Sequence, residues 1–233
     1  MVAAVHETPR FRTFAEVLAR LGDVSPERVL SFPAPGTGTP DDLLNPEIVS
    51  DRAYELVDGI LVEKAMGSKA DGIGAWLLVQ IFNFASLQNL GKLFGSQGGF
   101  VAGGLTVRMP DVSFYRWDSV ADPVELDALT TAFMEEAPDL VVEVLSPGNT
   151  AKELALKLAE YEKVGVALVW YVDPAAKTVA VYPKGKTKGM KVLAEEDTLD
   201  GGKVLPGFAL PVREIFASRL PANLAKKSKK KRK

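Results

Sequence analysis

Residues 137–150 read APDLVVEVLSPGNT, and they contain the strand from which the fold prediction starts. Its centre, LVVEVL, is made of the β-branched and aliphatic residues typical of a buried strand. Glu143 stands inside this run, although a carboxylate buried without a partner costs several kcal/mol. Because side chains alternate between the faces of a strand, Glu143 shares a face with Val141 and Leu145. The pattern therefore predicts a charged group among apolar neighbours, which needs a compensating partner.

The composition excludes several kinds of catalytic site. The 233 residues are 47% hydrophobic and 25% charged, as in an ordinary globular protein, and they include no cysteine and one histidine, His6. Without cysteine, disulfides and thiolate catalysis are excluded. The one histidine, His6, stands in an N-terminal tail that is predicted to be disordered, so we expect neither a Ser-His-Asp triad nor a multi-His zinc site from one chain. Any catalysis must therefore rely on carboxylates, lysines, hydroxyls or a hard cation.

The sequence shows no targeting or membrane signal. No apolar run approaches the roughly 18 residues of a membrane span, and the N-terminus lacks the apolar centre of a signal peptide. We therefore expect a cytoplasmic protein with no membrane contact.

The charge distribution separates the C-terminal end from the rest. The last eight residues, KKSKKKRK (226–233), carry seven of the 28 basic residues, which leaves 21 basic against 30 acidic residues elsewhere. A basic end of this kind can contact phosphate groups without sequence preference, and it can equally be a solvated end. An acidic body is compatible with a carboxylate cluster that binds a metal.

Helices and strands alternate along the chain. YELVDGILVEK (54–64) holds Asp58-Gly59 between two β-rich runs, which predicts a hairpin. Further helices are predicted at 13–21, 70–90, 150–164 and 211–220, and further strands at 103–115, 139–146, 167–173 and 178–183.

This alternation predicts an α/β protein with a mixed sheet covered by helices on both faces. Residues 1–45 are predicted to be an N-terminal helical extension and linker. Residues 46–220 then form the main domain, and residues 221–233 a disordered basic tail.

Two more carboxylates, Asp111 and Glu55, occupy strand-like apolar runs. Taken singly, each is also explained by a strand end, by backbone capping, or by a salt bridge to Arg108 or Arg116. Asp111 and Glu143 together favour a shared divalent cation. Mg²⁺ is typically held by one or two carboxylates plus phosphate oxygens, and it would keep both carboxylates ionised. Such a site suits phosphodiester hydrolysis.

One lysine of the helix at 150–164 borders its apolar face. At 100° per residue, Leu154, Leu158 and Tyr161 form a stripe, and Lys157 lies at its edge. We expect Lys157 to lean over the surface that carries Glu143. The alternative is a lysine that only covers the edge of the helix with its aliphatic stem. Tyr161 is expected to pack the helix rather than take part in chemistry.

These segments, in this order, resemble the Uma-two-type family of endonucleases, which belongs to the PD-(D/E)XK or restriction-endonuclease-like superfamily. The resemblance covers about residues 40–218. It is carried by YELVDG with Glu55, MPDVSF with Asp111, PDLVVEVLSPGNT with Glu143, KLAEY with Lys157 and Tyr161, and GVALVWYVDP.

The resemblance implies a restriction-endonuclease-like mixed sheet flanked by helices, and cleavage of DNA that depends on Mg²⁺, for which Mn²⁺ can substitute. It implies Asp111 and Glu143 as the metal ligands and Glu55 as an auxiliary acid. The lysine of the superfamily motif is missing, since Leu145 stands in its place. Lys157 is expected to replace it, by positioning the attacking water or stabilising the phosphate.

Two other functions compete with this interpretation. A non-catalytic module could keep the nuclease fold and bind nucleic acid or protein, helped by the basic tail. A glycosidase fits poorly, because its two carboxylates need opposite environments. Cutting both strands of a duplex together needs two sites, so a homodimer is compatible with the endonuclease hypothesis.

Overall fold

The predicted alternation of helices and strands is borne out over most of the chain. The computed structural model describes residues 10–49, 52–65, 67–128 and 131–219. His6 and the predicted basic tail at 221–233 lie outside these residues. Over the described residues, the helices are α1 (Phe14–Arg20), α2 (Pro46–Val49), α3 (Ser68–Leu87), α4 (Pro123–Ala128), α5 (Ala151–Val164) and α6 (Val212–Phe216), with 3-10 turns at Pro26–Arg28 and Pro40–Leu44.

The strands of this part of the chain form three sheets. In chain order they are β1 (Tyr54–Val57), β2 (Ile60–Glu63), β3 (Gly91–Gly95), β4 (Phe100–Val101), β5 (Val107–Arg108), β6 (Val112–Arg116), β7 (Leu140–Val144), β8 (Leu168–Asp173), β9 (Thr178–Pro183), β10 (Lys191–Leu193), β11 (Thr198–Gly201) and β12 (Leu205–Pro211). Their order is β10-β9-β8-β7-β6-β3 in the largest sheet and β2-β1-β5-β4 in the second, and β11 pairs with β12.

The largest sheet is mixed, and α3 and α5 cover its two faces. Strands β7 and β8 pair in parallel, joined through α5, and the other neighbours in this sheet are antiparallel. Val142 and Val144 pack with α3 in one core, whereas Val141 packs with Leu158 and Tyr161 of α5 in another. The alternation predicted for 139–146 is confirmed. Glu143 therefore lies on the face that α5 covers.

The second sheet begins with the predicted hairpin. Tyr54 pairs with Glu63 and Val57 with Ile60 in antiparallel register. The two residues between the strands have positive φ, 48° at Asp58 and 73° at Gly59, as a two-residue turn of this type requires. The hairpin thus places Glu55 in the middle of a buried strand.

The segment 103–115 is two strands rather than the single strand predicted. Val107–Arg108 pairs with β1 in the second sheet, whereas Val112–Arg116 pairs with β7 in the largest sheet. Pro110 stands between them and has no N–H to donate to a ladder, so the chain leaves one sheet and enters the other there. Asp111 therefore lies in the connection between the sheets, not within a strand.

The segment before β1 packs on both the hairpin and α5. Val17, Leu21 and Val24 form a core with the hairpin residues Val57 and Ile60. The Arg28 guanidinium lies 2.6 Å from the carboxylate of Glu153 and donates to two carbonyl oxygens, at Glu63 and Gly148. These contacts tie the 3-10 turn Pro26–Arg28 to the beginning of α5.

Helix α3 has 20 residues and is long and apolar enough, by length and composition, to cross a membrane. The expectation that no segment reaches this length and hydropathy is therefore wrong for Ser68–Leu87. A single helix of this kind is weak support for a span, because the core helix of a soluble protein passes the same test. Ile73, Leu77 and Ile81 are buried against the sheet. Leu87 is 88% exposed at the end of the helix.

Candidate active site

Helix α5 brings its charged residues over Glu143. Thr150 and Glu153 form the capping box that begins the helix, and Gly165, with φ 91°, ends it. Glu153, Lys157 and Tyr161 follow at intervals of four residues, so they share one face, and all three are buried. The lysine expected at the edge of the helix is in fact 4% exposed.

Lys157 joins two buried carboxylates that are far apart in the sequence. Its Nζ lies 3.2 Å from Oε1 of Glu143 and 3.0 Å from the Glu55 carboxylate. Burial lowers the pKa of Lys157, but the charges of Glu143 and Glu55 outweigh burial and raise it. The ammonium therefore stays protonated, and it links the largest sheet, the second sheet and α5.

Glu55 is the most strongly stabilised carboxylate of the cluster. Besides Lys157, it accepts a bond of 2.8 Å from the guanidinium of Arg108 and one of 3.1 Å from the backbone N–H of Met109. Burial raises the pKa of Glu55, but Lys157 and Arg108 outweigh burial and lower it to about 2. The salt bridge to Arg108, one of the two that the sequence offered for Glu55, is present.

Glu143 is less well compensated. Its Oε1 accepts the hydroxyl of Tyr161 at 2.5 Å as well as the Lys157 ammonium. Burial raises the pKa of Glu143, and the neighbouring Asp111 and Glu55 charges add to that rise against the opposing effect of Lys157. Glu55 is thus better compensated than Glu143, because Arg108 pairs with Glu55 in addition to Lys157. Glu143 is the carboxylate that would gain most from a further cation.

Asp111 is the most exposed of the four predicted residues. Its Oδ2 accepts the backbone N–H of Val144 at 2.7 Å, which places Asp111 beside the strand that carries Glu143. Its Oδ1 lies 3.0 Å from Nζ of Lys64. The side chain is 23% exposed and lines a cavity of about 700 Å³.

The structure therefore brings Glu55, Glu143 and Lys157 into direct contact, and it places Asp111 next to them. Sequence reasoning missed three contributions to the cluster. Arg108 was considered only as an ion pair for a single carboxylate. The hydroxyl of Tyr161 binds Glu143 in addition to packing, and the spacing of residues 157 and 161 could have indicated this. Lys64 ends the hairpin run, and nothing in the local pattern connects it to Asp111.

The donor chemistry of this cluster fits a hard divalent cation. Asp111 and Glu143 supply carboxylate oxygens, and Mg²⁺ is typically held by one or two such groups together with substrate oxygens. Glu55 already accepts bonds from two cationic side chains. Within the described residues, no group of three or more Asp, Glu, His or Cys side chains is arranged to hold a metal ion.

The mixed sheet flanked by helices places the fold in the restriction-endonuclease-like class, as predicted. The chain is similar to a solved structure from Anabaena variabilis ATCC 29413, described as "a putative nuclease belonging to DUF820". The TM-score is 0.61 at 21% identity, and the match covers 72% of this chain and 91% of that one. At this identity the similarity shows the fold alone.

The family model described as "Uma2: Putative restriction endonuclease" matches residues 41–213, which is well over half of the chain. The chain belongs to this family, so the resemblance seen in the sequence is confirmed. The comparison with curated proteins found no match. Family and fold together support a nuclease.

Proposed function

We propose that this protein is a metal-dependent endonuclease that hydrolyses DNA phosphodiester bonds, with Asp111 and Glu143 holding Mg²⁺ or Mn²⁺. One observation carries the proposal. Lys157 is buried between Glu143 and Glu55, and Asp111 lies beside the Glu143 strand at the wall of a cavity. A buried charge cluster of this kind, open to a cleft on one side, is typical of a functional site.

Each residue has a distinct task in this proposal. The cation, when bound, supplies a more acidic water and stabilises charge on the phosphate oxygens. Asp111 presents its carboxylate at the cavity, oriented by the Val144 N–H. Lys157 and Tyr161 hold the orientation of the Glu143 carboxylate. Glu55 anchors Lys157 and is in turn fixed by Arg108.

The geometry favours a narrower role for Lys157 than the sequence suggested. Its side chain is 5% exposed and its ammonium contacts two carboxylates. We therefore propose that it positions Glu143, and that contact with water or phosphate comes from groups at the cavity wall. In this proposal Lys157 supplies the positive charge that the lysine of the superfamily motif would supply, but it does not contact the substrate.

The test combines metal binding with DNA cleavage. Mn²⁺ is expected to raise the thermal midpoint of the wild-type protein, and the protein is expected to nick supercoiled plasmid. Asp111→Asn or Glu143→Gln should abolish both effects. Asp127→Asn is the matched control, because Asp127 is a surface carboxylate whose side chain is 75% exposed. Wild-type protein with neither metal-linked stabilisation nor nicking would instead favour a non-catalytic binding module.

The basic residues at 226–233 would add nonspecific contacts to DNA phosphate, and a homodimer would cut the two strands of a duplex in one encounter.

A further inference from the structure

Lys64 holds the one predicted metal ligand that faces the cavity. It directly follows β2, and its ammonium donates to Oδ1 of Asp111 at 3.0 Å and to the carbonyl oxygen of Met109 at 2.5 Å. Asp111 is also fixed through its other oxygen by the Val144 N–H. Asp111 can therefore keep its orientation without Lys64, and Oδ1 is the oxygen that Lys64 occupies.

The cations of the cluster differ in how firmly they are held. Arg108 pairs with Glu55 and Glu160, and Lys157 pairs with Glu55 and Glu143. Each of these two has carboxylate partners on different elements, and each is 5% exposed. Lys64 has one carboxylate partner in the described residues, Asp111. Its movement breaks one ion pair, to Asp111, and one hydrogen bond, to the Met109 carbonyl oxygen.

The cavity gives Lys64 a place to move to. Among the described residues that line it, the basic ones are Lys64 and Arg52, the acidic ones are Asp71 and Asp111, and Ser96 and Gln97 add polar side chains. Lys157 is not among these lining residues. A phosphate entering the cavity would therefore meet Lys64 and Arg52 rather than the lysine that replaces the superfamily motif.

We propose that Lys64 is a second functional lysine of this site. Its ammonium and the divalent cation compete for the Asp111 carboxylate, and the displaced ammonium contacts a phosphate oxygen of the substrate. This inference rests on the proposed endonuclease function. A bound cation and the ammonium would compete for Asp111 Oδ1, since both need the same oxygen. Removing the Lys64 charge should therefore strengthen metal binding and weaken cleavage. A lysine with only a structural role would not produce this pair of opposite effects.

Neutralising Lys64 tests both halves of the proposal. In Lys64→Gln, the Mn²⁺ concentration at half-maximal thermal shift is expected to fall about tenfold, as for loss of one charge-assisted hydrogen bond that competes for the ligand. Plasmid nicking at saturating Mn²⁺ is expected to fall at least about tenfold. Lys64→Arg keeps the positive charge, so its Mn²⁺ requirement should stay close to that of the wild type. Lys152→Met, at a side chain 74% exposed, is the control for loss of a lysine.

A measurement on the wild-type protein does not depend on how the variants fold. Acetic anhydride should modify Lys64 several-fold faster in saturating Mn²⁺ than in chelator, read by peptide mass spectrometry, because the ammonium is released from Asp111. Lys157 should remain protected in both conditions.

Several outcomes would overturn the inference while leaving the endonuclease intact. The first is a Mn²⁺ concentration at half-maximal thermal shift in Lys64→Gln that equals or exceeds that of the wild type, and the second is unchanged nicking by Lys64→Gln. The third is a fall in this Mn²⁺ concentration in Lys64→Arg as large as in Lys64→Gln. The fourth is an acetylation rate of Lys64 that Mn²⁺ does not change. Wild-type protein without a Mn²⁺ shift and without nicking would overturn the proposed function and the inference together.

Discussion

Replacing Lys157 with methionine should destabilise the protein by about 3–5 kcal/mol at neutral pH, as expected for removing one partner of a buried ion pair. Methionine fills a similar volume but removes the charge. Glu55 would keep Arg108 at 2.8 Å, whereas Glu143 would keep only neutral neighbours such as the Tyr161 hydroxyl in direct contact. Most of the loss therefore comes from leaving Glu143 buried with its charge poorly compensated.

The pH dependence of this loss separates it from a packing defect. Burial already raises the pKa of Glu143, and removing Lys157 would raise it further. A carboxylate whose pKa is higher in the folded than in the unfolded protein favours folding at low pH, and this contribution is lost as the pH rises. The destabilisation of Lys157→Met should therefore be larger at pH 8 than at pH 5.

Urea unfolding of both proteins at pH 5 and pH 8 measures this effect. Lys163→Met, in the last turn of the same helix, is the matched control and should change stability by no more than about 0.5 kcal/mol. Adding Glu143→Gln to Lys157→Met should recover part of the loss, because the buried charge is removed. A loss below about 1 kcal/mol, or one that does not vary with pH, would show that Lys157 does not compensate a buried charge on Glu143.

Three further predictions concern other parts of the molecule. Arg28→Ala should cost about 3 kcal/mol in urea unfolding at pH 7, because it removes the cation from the buried carboxylate of Glu153; a surface-like loss below 1 kcal/mol would contradict this. In Glu55→Gln, stability should depend less steeply on pH. In the wild type, the ionised Glu55, with a pKa of about 2, stabilises the folded protein above pH 4.5, and this stabilisation is lost as the pH falls towards 2. Equal slopes of unfolding free energy against pH for the wild type and Glu55→Gln in this range would contradict the prediction. Deleting 226–233 should weaken nonspecific DNA binding and flatten its salt dependence, and unchanged titrations would show that these residues do not contact phosphate.

The parts of the fold that the sequence predicts are those decided by local geometry. Asp58-Gly59 predicts its hairpin because few residues tolerate positive φ at both positions. Thr150 and Glu153 predict the beginning of α5 because their capping box is a local arrangement. The face of the sheet on which Glu143 lies can be predicted because side chains in any strand alternate between the two faces.

The parts that the sequence could not predict depend on contacts between distant segments. Pro110 indicates an interruption, but whether the chain then continues in the same sheet or enters another depends on tertiary packing. Lys64 and Asp111 are 47 residues apart and meet only because two sheets adjoin. The burial of Lys157 likewise requires Glu55 from the second sheet, which no helical wheel of α5 contains.

Asp111 and Glu143 are proposed to hold the catalytic cation together. A crystal structure with Mn²⁺, in which anomalous scattering identifies the metal, would show whether both carboxylates bind it. The proposal predicts an anomalous peak within bonding distance of both carboxylates, with Lys157 still on Glu143. A peak elsewhere, or no peak while the Lys64 ammonium remains on Asp111 at saturating Mn²⁺, would contradict it.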